Sequence, residues 1–272
     1  MRETLERELK LDVEPSFALP QLEGEPLRER VFTSTYHDTP PRSLAYAGLT
    51  LRCRVEDRSS LWQLKLPRPG GARAELEVAG DPDAPPEELV RLLQAHLRHG
   101  PLEPVAVLRT HRSGVRVMDG DRRIADVTVD AVDVLEDGAS AGGFVELEAE
   151  LVDGDEGDLE RLGRVLREAG ARASDGRSKL LRVLGLGDAP GAELAVRLRA
   201  IEAHDPGVRA GGEPSDATAA AEAARRAAEL VADEQLRADL LWLAGELAGG
   251  RGPAALESGR YLALLRALDD GL

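Results

Sequence analysis

Five residues near the N-terminus, Glu6-Arg7-Glu8-Leu9-Lys10, constrain this chain more than any other stretch. Read as a β-strand, the period of two places Glu6, Glu8 and Lys10 on one face. The other face, where Arg7 alternates with Leu9, is no clean apolar stripe. Two carboxylates and an ammonium in a row cannot line a hydrophobic core, because buried charge is costly without partners. Such a strand makes sense where its charged face borders a wet cavity.

The same rule, applied along the chain, finds more strands of this kind. After a first strand over residues 1–12, Pro15, Pro20 and Pro26 punctuate residues 14–30, and Arg28 to Tyr36 reads as extended up to Asp38-Thr39-Pro40-Pro41. Residues 49–57, 61–66 and 73–78 form an antiparallel meander with hairpin turns at Arg58-Ser59-Ser60 and Pro67 to Gly71. Pro85-Pro86-Glu87 opens a helix through about His99. Strands follow over 105–111, 114–118, 123–134 and 143–151, then a helix over 158–169 and a short segment, Ser178 to Leu184. The class is α+β: an eight-stranded antiparallel β-barrel with flanking helices, since closure removes exposed edges. Beyond residue 188 the chain turns rich in Ala, Leu, Arg and Glu. Breaks at residues 211–214 and 248–253 divide it into about three helices. The expected domains are 1–187 and 188–272.

Parity sorts the charges. Arg52 and Arg54 share a face opposite Cys53, and Gln63 and Lys65 lie opposite Trp62, Leu64 and Leu66. Arg73, Glu75 and Glu77 align, as do Asp126, Thr128 and Asp130, and Glu146, Glu148 and Glu150. Glutamates stacked on one face repel and need cations beside them. With these faces inward the barrel becomes a tunnel of mixed charge. Basic groups suit an anionic ligand, and clustered carboxylates suit hard divalent cations. A polyphosphate with Mg²⁺ or Mn²⁺ satisfies both.

A formal net charge of −15 argues against a general nucleic-acid or membrane-surface binder, so any polyanion must meet a local basic site. Of 35 basic residues only Lys10, Lys65 and Lys179 are lysines, which suggests that a compact ammonium is needed at those positions. One cysteine, a charged N-terminus and no long apolar run fit a cytoplasmic protein.

In this order the motifs resemble the CYTH domain of the triphosphate tunnel metalloenzymes. Glu6-Arg7-Glu8-Leu9-Lys10 resembles the family's E-x-E-x-K strand and Tyr36-His37-Asp38-Thr39 its Y-x-D-T turn. Leu51-Arg52-Cys53-Arg54 resembles L-R-x-R, and Trp62-Gln63-Leu64-Lys65-Leu66-Pro67 resembles W-x-L-K-x-P. Arg73-Ala74-Glu75-Leu76-Glu77, Val145 to Leu151 and Ser178-Lys179 complete the series. The resemblance implies a tunnel that binds a triphosphate. Lys10, Arg52, Arg54, Lys65, Arg112 and Lys179 would hold phosphate oxygens, with Arg109 a further candidate that cannot share a regular strand's face with Arg112. Glu6, Glu8, Asp130, Glu146 and Glu148 would bind Mg²⁺ or Mn²⁺, and Glu6, Glu8, Lys10 and Lys65 would serve catalysis. Glu75 and Glu77 would orient these groups or add ligands, and Asp126 and Glu150, of the right parity, would stand at a tunnel mouth.

The helical tail resembles the opening of a CHAD domain at Leu198 to Arg209, Arg225-Arg226 and Leu240 to Ala244. It departs in length, in lacking a histidine within 218–224, and at Gly250-Arg251-Gly252, where an Arg-Asp pair is usual. It therefore reads as a bundle that packs on the barrel or mediates a homodimer. The functional expectation is metal-dependent hydrolysis of inorganic triphosphate or a related short polyphosphate. The alternatives are a non-catalytic polyphosphate-binding module, an adenylyl cyclase, or an organic triphosphatase, which would use Tyr36, Tyr46 or Trp62 as a platform.

Overall fold

The alternating stretches become strands in the computed structural model, which describes residues 1–68, 72–186 and 193–270. They are β1 (Arg2–Glu6), β2 (Glu8–Asp12), β3 (Gly24–Pro26), β4 (Arg30–Asp38), β5 (Thr50–Glu56), β6 (Ser59–Pro67) and β7 (Arg73–Ala79). After them come β8 (Glu103–Asp119), β9 (Arg122–Glu136), β10 (Ala139–Leu151) and the two-residue β11 (Arg172–Ala173). All form one antiparallel sheet in the order β1-β7-β6-β5-β4-β8-β9-β10-β2-β11, with β3 added to β8.

Two expectations are corrected here. The first strand is split at Arg7, and its halves lie toward opposite ends of the hydrogen-bonded path. β1 pairs with β7, and β2 pairs with β10. The ladder is therefore not a closed eight-stranded ring. The chain itself joins the two walls at Arg7, whose carbonyl accepts the amide of Leu151 at 2.9 Å. The strands after residue 100 are also longer than expected, because β8 runs unbroken through Gly114.

The aliphatic faces point out of the sheet and are covered by helices. Against one wall, Leu51, Cys53, Trp62, Leu64, Leu66 and Leu76 are buried under α1 (Ser43–Tyr46) and α2 (Glu87–Leu92), while the following α3 (Gln94–Leu97) turns its Ala95 to the core of the C-terminal helices. The single helix expected to His99 is thus two short ones, meeting at Leu93. Against the other wall, Leu11, Val127, Leu147 and Ala149 pack on Leu162 and Leu166 of α4 (Glu156–Glu168). A reciprocal capping box fixes the start of α4: Asp155 and Asp158 each accept the other's amide at 2.9 Å. Burying each such large side chain contributes about 1.5–3 kcal/mol. With the apolar faces satisfied outside, the charged faces must meet inside.

Short α5 (Lys179–Leu184) delivers its first residue into the interior. The tail forms α6 (Glu193–Arg209), α7 (Pro214–Leu230), α8 (Glu234–Ala248), α9 (Gly252–Leu256) and α10 (Gly259–Asp270) around their own core. These are five helical segments rather than three, because Val231 to Asp233 and Glu257-Ser258 interrupt the pattern. The expected boundary at 188 lies outside the described residues. The tail rests on the sheet through α6 and the residue after it: Ala203 and Ala210 pack against the cluster around Trp62. A buried ion pair fixes the contact: Arg68, just past β6, lies 2.6 Å from Asp216 of α7. Gly207 must be glycine there, since a Cβ would sit 2.1 Å from the Asp216 carboxylate. No helix among the described residues is long and apolar enough to cross a membrane.

Candidate active site

Register turns the parity of single strands into layers. Across β8, β9, β10 and β2 one layer reads Arg112, Asp130, Glu146, Asp12. The next reads Gly114, Thr128, Glu148, Lys10, and a third reads Arg116, Asp126, Glu150, Glu8. On the facing wall, β5, β6, β7 and β1 align Arg52, Gln63, Glu77 and Arg2, then Thr50, Lys65, Glu75 and Thr4. Glu6 is aligned with Arg73. Between the walls lies a cavity of about 240 Å³. Glu6, Glu8, Lys10, Arg52, Arg54, Lys65, Arg112 and Lys179 all border it, together with Glu75, Glu77, Asp126, Glu148 and Glu150.

Two knots of charge are tied across it. In the first, Lys10 donates to Glu148 at 3.0 Å and lies 3.4 Å from Glu8. Arg112 forks onto Asp130, with both bonds at 2.7 Å, and reaches Glu148 at 2.8 Å. Lys179 bonds to Glu146, to Glu148 at 2.8 Å, and lies 3.1 Å from Asp130. Burial alone would raise Glu148, but Lys179, Lys10 and Arg112 overcome it and hold the carboxyl well below its usual range. Burial and the adjacent Glu148 leave Glu146 raised, despite Lys179. Two carboxyls in contact hold one negative charge more readily than two.

In the second knot, Lys65 donates to both oxygens of Glu6, at 2.9 and 2.7 Å. Against the effect of burial, Lys65 holds Glu6 below its usual range, while burial pushes neighbouring Glu75 up to about 7. Glu150 is likewise pushed up to about 7, by burial first and by Glu6 next. Arg52 donates to Gln63 at 2.9 Å and to the Tyr36 hydroxyl at 3.3 Å, and Gln63 passes a bond to Glu77 at 2.8 Å.

Arg54 differs from the rest. Among the described residues it makes no hydrogen bond or ion pair, and its guanidinium sits 5.3 Å from the centre of the Phe32 ring. Burial, then Arg52 and Arg30, lower its pKa. An unpaired guanidinium bordering a polar cavity keeps its N–H donors free.

Of the carboxylates expected to bind metal, the fold brings Asp130, Glu146 and Glu148 together, all buried, with candidate ligand oxygens within 4.8 Å of one another. Glu6 and Glu8 stand outside that group, Glu6 being engaged by Lys65. Three hard oxygen donors in contact are the kind of group that can hold a metal ion. Arg109 is a correction: it lies on the outer face, half exposed, and pairs with Asp133 at 2.9 Å. Leu108, Thr110 and Arg112 take the other parity. Asp126 lines the cavity but is forked by Arg116, both bonds at 2.7 Å.

The sequence reading gave no site role to Arg30, Arg73 or Ser178, all of which line the cavity. Arg73 shares the charged face of its strand with Glu75 and Glu77, as parity indicates. Arg30 carried no such signal, because its strand face continues as Phe32, Ser34 and Tyr36 rather than as charge. The Asp38-Thr39 turn proves to be architectural: buried Asp38 accepts the amides of Thr39, Leu44 and Ala45 at 2.7, 2.9 and 3.0 Å and so caps α1.

The CYTH domain family profile matches residues 4–174, well over half of the chain. The chain belongs to the CYTH domain family. Two curated relatives, both uncharacterised proteins from strains of Mycobacterium tuberculosis, are 36% identical over 206 residues, covering 66% of this chain and 40% of theirs. The chain thus spans less than half the length of those relatives. Among solved structures, a proposed adenylyl cyclase from Hippeastrum, described as having a dominant triphosphatase activity, aligns at 20% identity and a TM-score of 0.47. That alignment covers 66% of this chain and 96% of the other. The PH1819 protein of Pyrococcus horikoshii aligns at 21% identity and a TM-score of 0.42, covering 66% and 99%.

Proposed function

We propose that this CYTH protein hydrolyses inorganic triphosphate, or a related short polyphosphate, in a divalent-metal-dependent reaction inside the cavity. The observation that carries this reading is the self-neutralised interior. Lys10, Arg112 and Lys179 are held by Glu146, Glu148 and Asp130, while Arg54 is left open. Carboxylate oxygens here occupy the places that phosphate oxygens would take on the same cations. An entering phosphate chain would first meet Arg54 and Arg52, whose forks match phosphate geometry. It would then compete for Lys10, Lys179 and Arg112, releasing the carboxylate triplet.

Asp130, Glu146 and Glu148 would hold the metal, which supplies Lewis-acid neutralisation of phosphate charge. The chain's own residues bind, align and shield: cations on two walls fix the phosphates in line, and positioning supplies most of the rate. Glu75 and Glu150, poised near 7, are suited to take a proton from an attacking water. The surroundings favour an inorganic chain. Trp62 is fully buried in the outer core, Tyr46 lies on α1, and Tyr36 contributes its hydroxyl rather than an open face.

The test is phosphate release from triphosphate, pyrophosphate, ATP and long-chain polyphosphate, with Mg²⁺, with Mn²⁺ and with chelator. Metal-dependent release, fastest from triphosphate, is expected. Absence of turnover on every substrate refutes the enzyme reading, and tight binding without release would mark a binding module.

A further inference from the structure

A second cavity, also of about 240 Å³, adjoins the first and shares Arg30, Arg112, Asp126 and Glu150 with it. Its own walls add Arg28, Arg116, Leu27 and Thr128. The strap through β3 encloses it, since the Leu27 amide donates to the Gly114 carbonyl at 2.9 Å. The chain places cations together here. Arg30 is the register partner of Arg112 across β4 and β8, and like charges directly opposite each other destabilise a ladder unless anions compensate them. The guanidiniums of Arg30, Arg54 and Arg112 all lie within 6 Å of the Phe32 ring centre, at 5.9, 5.3 and 5.8 Å. Arg30 is held by Glu56, and Arg112 by Asp130 and Glu148. Arg116 is forked by Asp126, and among the described residues Arg28 reaches only Asp57, at 4.0 Å, and is largely exposed.

We propose that this second cavity is an anion subsite that takes the distal phosphates of linear polyphosphates longer than triphosphate, with Arg28, Arg30 and Arg116 as its cations. The inference rests on the phosphate-chain reading of the first cavity and extends it to substrate length. A chain anchored on Arg54 and Arg112 has a charged continuation past Arg30, where two further guanidiniums flank the exit. The ligand class follows from the lining. Leu27 and Thr128 offer no aromatic face for a base, whereas the arginines offer donors that a phosphate oxygen accepts.

The experiment is calorimetric titration of the full chain with triphosphate, tetrapolyphosphate and ATP, in chelator and at low salt, so that no result depends on turnover. Arg28→Glu changes an exposed side chain and should fold as wild type does. It is expected to weaken tetrapolyphosphate about tenfold while leaving triphosphate within about twofold, and the effect should shrink as salt screens it. Arg28→Gln should act in the same direction with a smaller effect. Equal weakening of both chains, no change in either variant, or selective weakening of ATP alone overturns the subsite. A wild-type protein that binds neither chain refutes the parent reading instead.

Discussion

Replacing Glu148 by Gln should move stability and ligand affinity in opposite directions. The amide keeps the shape and removes one negative charge from the centre of three cations. None of those cations is stranded: Lys10 keeps Glu8 at 3.4 Å, Arg112 keeps Asp130 at 2.7 Å, and Lys179 keeps Asp130 at 3.1 Å. The loss is therefore the charge assistance of three hydrogen bonds, roughly 2–3 kcal/mol in all. For a chain of this size that lowers Tm by about 4–8 °C. The same charge, however, repels an incoming phosphate. At about 6 Å and an effective dielectric of about 20, that repulsion is ~3 kcal/mol, a ceiling near a hundredfold in Kd before relaxation and salt reduce it. Glu148→Gln should thus bind triphosphate at least about tenfold tighter than wild type in chelator. Its metal-dependent phosphate release should fall by about a hundredfold or more, because one of three candidate ligands is gone. Scanning calorimetry with and without triphosphate in chelator reads the first two effects, and a phosphate-release assay reads the third. Weaker binding in chelator, or undiminished turnover with Mg²⁺, would refute the exchange of carboxylate for phosphate.

Arg54→Gln should raise the Kd for triphosphate about ten- to a hundredfold without lowering Tm, since Arg54 has no described partner to lose, whereas Arg109→Ala should change neither by more than the 0–1 kcal/mol of a surface pair; titration and calorimetry on the two variants separate inner from outer arginine. His96 of α3 is completely buried and its pKa is pushed down to about 4 by burial, so the unfolded chain binds the extra proton as pH falls through 6.5, and stability is lost between 6.5 and 4. At pH 5 this amounts to about 2 kcal/mol. Asp205, pushed up to about 6 by burial, works the other way between 3.8 and 6. Glu75 and Glu150, pushed up to about 7, likewise add stability as pH falls, so the Tm at pH 5 relative to that at pH 7.5 should rise in His96→Gln, and an unchanged difference would exclude a contribution from His96.

Most of the interior was legible because strand parity is a strict rule. Once Leu64 and Leu66 must be buried, Gln63 and Lys65 must face the other way, and the same holds at Val127 and Leu147. Parity does not say which strands are neighbours, and there the sequence fell short. The choice between Arg109 and Arg112 needed the register of β8 against β9, and Arg30 became a cavity residue only once it lay opposite Arg112. The split at Arg7 was hidden for the same reason, since the stretch reads as one strand whichever partners its halves take. That Asp130, Glu146 and Glu148 meet while Glu6 turns to Lys65 depends on distances between walls, which no periodicity records. In the tail, Ala-rich helices gave clear periodicity, but the buried Arg68–Asp216 contact joins positions far apart in the chain, with nothing local to announce it.

The divided first strand also sets an order of assembly. Lys10 and Glu148 are 138 positions apart, and Lys65 and Glu6 are 59 apart. Residues 2–12 leave the ribosome before either of their ladder partners is made, the second of them after residue 145. Loop closure over such spans is slow, and a strand without a partner is exposed to wrong pairing. A stretch as charged as Glu6 to Lys10 waits more safely than an apolar one, because it stays hydrated and resists self-association. The residues that make the cavity charged are thus the ones best able to remain unpaired in solution until the rest of the sheet exists to receive them.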